Sequence, residues 1–322
     1  SFTVLVGVIA VSAGLCTGAP EQSLQLATDA NSVWILAGKS PILQYRYNEV
    51  PFKPYIKELY TPNGVNFLLD APSDHLHHHA LMFAVAVDGV NFWEETPGSG
   101  YEVHDKFDNV RVYSRDGVAC AEFRERVRWM ASRDRPCSLM ENRQIRACRV
   151  PSLNATVVTW RNGFWPPEGV PRQVTLSGAH YFGLGLRFVR SMDGSEFFYA
   201  DGKEGTIFRG EERLTQSNWC AYTAAVDGKP VTVAMFDHPA NPRPTTWFTM
   251  AKPFAYISAT LNLHAEPLTV PAGKAFGLQY AVVAWDGKVG SEQIDAAYHW
   301  FVGKYSPAST SGEGVDGYEE DK

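Results

Sequence analysis

Four of the nine histidines fall within five residues, in the run Asp74-His75-Leu76-His77-His78-His79. Imidazole titrates near neutral pH and also ligates metals, so a cluster this dense invites both chemistries. On an extended segment alternate side chains share a face, which would set His75, His77 and His79 side by side. That face could place imidazoles on one divalent cation, with a carboxylate from elsewhere completing the site. The same cluster could instead act as acid and base beside a sugar ring. His75, His77 and His78 would then be the catalytic residues, with Asp74 orienting one ring. The structural alternative is a loop of solvated histidines ahead of a strand.

A second constellation, Asp237-His238-Pro239-Ala240-Asn241-Pro242-Arg243, follows the apolar run 231–236 and is stiffened by two prolines. Rigid loops at sheet ends are good positions for function. His238 could serve as an acid or base, and Asn241 and Arg243 could bind sugar hydroxyls or a carboxylate; alternatively His238 only pins the turn. Arg187 stands in an apolar stretch and needs a partner once buried, either a substrate carboxylate or an internal acid. Trp93 follows the histidines closely and offers an indole on which a sugar could stack. The expectation is that the two motifs converge on one pocket, supplying a base, an acid, an orienting carboxylate and a cationic clamp.

The elements that must position these residues read mostly as strands. Short apolar runs, mostly with period-two patterning, recur over 33–36, 42–47, 81–87, 110–113, 118–129, 221–226, 231–236 and 277–285, and Asp-Gly follows at 88–89, 116–117, 227–228 and 286–287. Asp-Gly between alternating runs is a strong hairpin signal, because both turn residues accept positive φ. Only 291–304 has helical spacing, through Ile294, Ala297, Tyr298 and Phe301. The prediction is an all-β fold, a large antiparallel sandwich over residues 25–305 with one short C-terminal helix.

Composition narrows the function classes. The 322 residues carry 29 Lys plus Arg against 35 Asp plus Glu, a net charge of −6 that gives no support to a nucleic-acid binder. Hydrophobic residues reach 45% and charged ones 20%, enough for a sizeable core, and 13% aromatics suit both sheets and sugar recognition. Residues 2–15 are apolar and uncharged and small residues follow, so 1–19 reads as a secretory signal and the protein as periplasmic or extracellular. Residues 306–322 are Ser, Gly and acid and read as a disordered tail. Beyond the signal no apolar run approaches the length of a membrane span. Without Cys16, four cysteines remain (Cys120, Cys137, Cys148 and Cys220); they allow three full pairings or stay as buried thiols.

Several segments occur in order that together resemble a known bacterial family: Lys53-Pro54-Tyr55, Tyr60-Thr61-Pro62-Asn63-Gly64, Asp74-His75-Leu76-His77-His78, Gly89-Val90-Asn91-Phe92-Trp93, Gly183-Leu184-Gly185-Leu186-Arg187 and Phe236-Asp237-His238-Pro239-Ala240-Asn241-Pro242-Arg243. The family is labelled "methane oxygenase PmoA-like" and is common in exported proteins of polysaccharide-degrading bacteria. The likeness covers roughly residues 40 to 300. Where the family has Pro, Arg and Gly, this chain has Leu76, His79 and Ala80. Glu141-Asn142-Arg143 is similar to the family's Glu-x-Arg element, which makes Glu141 the preferred general acid or base. The resemblance implies a β-sandwich distantly similar to aldose-epimerase-type carbohydrate enzymes. The leading expectation is an exported enzyme that epimerises, eliminates from or cleaves a sugar or oxidised glycoside, with acid/base or metal-assisted histidine chemistry. The other is a noncatalytic β-sandwich that only grips a glycan.

Overall fold

Alternation along the strands builds two buried layers from one sheet. In the strand Phe276–Asp286, Leu278, Tyr280, Val282 and Ala284 face the main core, while Ala281, Val283 and Trp285 face a second one. Strands with both faces covered read as near-continuous apolar runs, and this one does. The computed structural model describes residues 23–168 and 173–304. The expected signal at 1–19 and the tail at 306–322 lie outside the described residues.

The largest sheet has ten strands, in the spatial order Leu24–Thr28, Ser32–Ala37, Ser40–Arg46, Tyr55–Leu59, Leu81–Ala84, Gly183–Arg187, Tyr256–Thr260, Thr246–Met250, Glu212–Gln216 and Ile207–Arg209. An eight-stranded sheet runs Glu196–Tyr199, Trp219–Val226, Lys229–Asp237, Phe276–Asp286, Ala155–Trp165, Cys137–Val150, Val118–Met130 and Tyr101–Arg115. A smaller sheet of four strands joins Leu268–Val270, Val174–Ser177, Ala86–Val87 and Val90–Asn91. The pairings between these strands are antiparallel, and the main core draws residues from all three sheets. The protein is therefore an all-β sandwich.

The helix spans Ser291–Lys304 and lays Ile294, Ala297, Tyr298 and Phe301 on the outer face of the eight-stranded sheet, against residues that include Trp219, Phe236 and Trp285. Three Asp-Gly turns form as read: Asp88 and Gly89, Asp116 and Gly117, and Asp227 and Gly228 all have positive φ. The expected strand over 81–87 is split instead. Leu81–Ala84 joins the ten-stranded sheet and Ala86–Val87 the four-stranded one, so the chain changes sheet at Val85. Cys120 and Cys148 stand opposite each other on neighbouring strands and form a disulfide, whereas Cys137 and Cys220 are free thiols. No helix among the described residues is long and apolar enough to cross a membrane.

Candidate active site

The histidines lie in the loop between Tyr55–Leu59 and Leu81–Ala84, two neighbouring strands of the ten-stranded sheet. Here the structure differs from the extended segment that the spacing suggested. The His75 N–H donates to the Pro72 carbonyl (2.9 Å) and the His78 N–H to the His75 carbonyl (3.0 Å). The Ala71 N–H closes the loop on the His78 carbonyl (2.9 Å). Turns replace alternation, so the face that forms holds His75, His77 and His78. The His75 and His78 rings stack at 4.6 Å, and His77 meets His78 nearly edge-on at 4.7 Å.

His79 leaves that face. Its Nδ1 lies 3.0 Å from Asp70 Oδ1 and its Nε2 2.9 Å from Glu95 Oε1. The proposed metal set of His75, His77 and His79 therefore does not assemble. Among the described residues no three His, Cys, Asp or Glu side chains are placed to hold a metal ion. Burial opposes charge on His79, but hydrogen bonds to Asp70 and Glu95 raise its pKa overall. Glu95 also takes a hydrogen bond from the fully buried Lys53 Nζ at 2.7 Å, and the Tyr55 hydroxyl donates to Asp70 at 3.0 Å.

Asp74 anchors the other side. Its Oδ2 lies 3.0 Å from His75 Nδ1 and accepts from Arg187 Nη2 at 3.0 Å, while Oδ1 accepts from Arg190 at 2.9 Å. Burial alone would raise its pKa, but the His75 hydrogen bond and the two guanidiniums hold Asp74 down to about 2. A carboxylate on Nδ1 leaves the His75 Nε2 as the ring's basic nitrogen. Burial is the largest cause lowering His77 to about 4 and His78 to about 2, with neighbouring imidazoles adding to both. Both rings are neutral at pH 7, which is the state a general base requires.

An aromatic wall supports the cluster. His78 lies over Tyr256 at 4.9 Å and meets Trp93 at 6.5 Å, and Phe254 packs against both His75 and His78. Trp93 is fully buried and stacked on Phe182 at 5.2 Å. Its ring face is thus taken, and Trp93 backs the site rather than offering a platform for a sugar. Arg187 is the buried half of an ion pair with Asp74, with Phe254 at 3.5 Å beneath its guanidinium.

The second motif sits in different surroundings. Asp237 accepts hydrogen bonds from Asn241 and Thr245, and Asn241 exchanges hydrogen bonds with the Gln279 backbone. The His238 Nδ1 accepts from the Ala240 N–H at 3.1 Å, and the ring meets Phe301 of the helix at 5.4 Å. Arg243 donates to the carbonyls of Leu261 and Glu266. His238 and Asn241 hold the loop to the helix and the eight-stranded sheet, and Arg243 ties it to the segment after Tyr256–Thr260, whereas the histidine cluster packs on Phe254, Tyr256 and Trp93. Glu141 is likewise committed elsewhere. It is buried between Arg143, Trp129 and Asn162 in the sandwich interior.

The sequence reading passed over Lys53, Tyr55, Asp70, Glu95, Arg190, Phe254 and Tyr256. Lys53 and Tyr55 had a signal, since Lys53-Pro54-Tyr55 is one of the segments that carry the family likeness. Asp70 lies in the histidine loop itself, paired with His79, while the rest arrive from distant strands and loops, and no local spacing announces them.

Compared with curated proteins, the chain matches none. Among solved structures it is similar to an α-galactosidase from Lactobacillus brevis, at 7% identity and a TM-score of 0.47, over 85% of this chain and 41% of that one. An α-galactosidase from Geobacillus stearothermophilus matches at 12% identity and a TM-score of 0.47, over 88% and 42%. The chain thus spans about two fifths of the length of these enzymes. A Klebsiella pneumoniae protein provisionally named an aldose 1-epimerase matches at 9% identity and a TM-score of 0.32, over 87% of this chain and 83% of that one. The sequence model of one family matches residues 32–299, most of the chain, and on that ground the protein belongs to DUF6807, a family of unknown function.

Proposed function

We propose that this protein is a carbohydrate-active enzyme that moves protons on its substrate with His75, His77 and His78. The observation that carries this reading is the pairing of two differently prepared imidazoles. His75 is oriented by Asp74, which is itself fixed by two arginines, and His77 beside it is kept neutral. Both rings remain partly exposed on the loop, so a ligand can reach them. Epimerisation, elimination and glycoside cleavage all need such a proton transfer next to a ring carbon or oxygen. The sugar class comes from the sequence resemblance described above, to a family whose sandwich is distantly similar to aldose-epimerase-type carbohydrate enzymes. The Cys120–Cys148 disulfide supports export, because disulfides persist in oxidising compartments.

The test is turnover of a panel of monosaccharides, uronic acids and oligosaccharides in D2O. Deuterium incorporation, new double bonds and new reducing ends would be followed by NMR. His77→Ala is expected to abolish the activity found with wild-type protein while leaving the melting temperature nearly unchanged. Equal turnover by the variant, or sugar binding with no turnover anywhere in the panel, would defeat the catalytic reading.

A further inference from the structure

Below the histidine face lies a group of buried polar atoms with an unusual bias. Among the described residues, Arg187 Nε and Nη1, Trp93 Nε1, the Tyr256 hydroxyl and His78 Nδ1 have no hydrogen-bond partner. The four side chains adjoin one another. Tyr256 and Trp93 are 6.2 Å apart, His78 touches both, and Phe254 bridges His78 to Arg187. Each residue is at most 7% exposed. Gly185 makes the arrangement sterically feasible, since a Cβ there would fall 1.8 Å from the Tyr256 hydroxyl oxygen.

Four of the five orphaned atoms are donors: two guanidinium nitrogens, an indole nitrogen and a phenol. Burial keeps the Tyr256 hydroxyl protonated and able to donate. Leaving such groups unmatched in the interior is costly, so the cluster calls for an acceptor. Arg187 shares Asp74 with Arg190 and also feels the charge of Asp193, yet its Nε and Nη1 still lack an acceptor. Lys53 and His79 are already matched by Glu95 and Asp70. A ligand group rich in acceptors satisfies these donors, and a carboxylate is acceptor-only and bonds most strongly to a guanidinium.

We infer that the site takes a carboxylate-bearing sugar, a uronate, with the acid group received by Arg187, Tyr256 and Trp93 beneath the histidines. This rests on the carbohydrate reading above and narrows it. The test is calorimetric titration at pH 7 with D-glucuronate and D-galacturonate against D-glucose and D-galactose. At least one uronate should bind about ten-fold or more tighter than its neutral counterpart, as expected for a charge-assisted contact. Tyr256→Phe keeps the ring and removes only the orphaned oxygen. It should fold as stably as the wild type or more so, yet weaken uronate binding by about five- to ten-fold. Neutral sugars binding as well as the uronates would overturn the inference. So would no measurable binding of either uronate, or wild-type affinity in Tyr256→Phe. These outcomes are separable from failure of the acid/base reading, which His77→Ala turnover decides on its own.

Discussion

Neutral, buried imidazoles come at a cost in acid. His78 is held at about 2 and His77 at about 4, both chiefly by burial, whereas an unfolded histidine titrates near pH ~6.5. The unfolded chain therefore binds more protons below that pH, and stability that is fully present above ~6.5 is lost progressively as the pH falls. His79 acts oppositely, since its raised pKa gives stability at low pH that fades as the pH rises through it. Over pH 6.5 to 4 His79 is charged in both states, so the two neutral rings pull the melting temperature down, against the one proton that buried Glu102 holds in the folded state over the same range. His78→Phe keeps a ring against Tyr256 and removes one of the two titrations, so its thermal melts should show a shallower acid slope. An identical slope in the variant would mean that His78 is not buried as a neutral ring. The histidine density itself was plain from the sequence. Which rings share a face was not, because that depends on turn hydrogen bonds from His75 and His78 rather than on spacing.

At the level of elements, legibility followed how local the signal was. The helix Ser291–Lys304 and the three Asp-Gly hairpins could be read because their spacing and turn chemistry lie within a few residues. The switch of sheets at Val85 could not, since residues 81–87 are all buried and show one unbroken apolar run. Arg187 and Tyr256 become neighbours only through the pairing of Gly183–Arg187 with Tyr256–Thr260, two strands about seventy residues apart. The disulfide was similarly open to sequence, which allowed several pairings, and was decided by register: Cys120 directly faces Cys148. It closes a separation of 28 residues and should contribute about 2–4 kcal/mol by constraining the unfolded chain. The double variant Cys120→Ala, Cys148→Ala should shift the urea midpoint down accordingly. A midpoint equal to that of the oxidised wild type would show that the bridge does not form in solution.

Across the whole molecule, the two large sheets are tied by a buried ionic network centred on Arg143. Arg143 rises from the eight-stranded sheet and donates to Glu141, Glu102, the Tyr45 hydroxyl of the opposite sheet and the Pro54 carbonyl. The Tyr45 hydroxyl in turn donates to Glu125, which also faces His104. Glu141 accepts four contacts, two from Arg143 and one each from Trp129 and Asn162. Among the described residues Glu102 accepts a side-chain hydrogen bond only from Arg143 Nη2, and its other oxygen is buried without a partner. One guanidinium cannot fully compensate both acids. Burial, helped by the Glu141 charge and opposed by Arg143, pushes Glu102 up to about 8. Because that exceeds the ordinary carboxyl value, the folded state holds this proton more tightly than the unfolded chain. The stability gained is complete below pH ~4.5 and disappears as the pH rises through about 8. Glu102→Gln keeps the shape and an acceptor for Arg143 but no longer ionises. Its melting temperature should match or trail that of the wild type at pH 5 and exceed it at pH 9, by an amount on the order of a few kcal/mol in stability. Parallel melting curves from pH 5 to 9 would mean that Glu102 is ionised throughout, with Arg143 able to serve both acids at once.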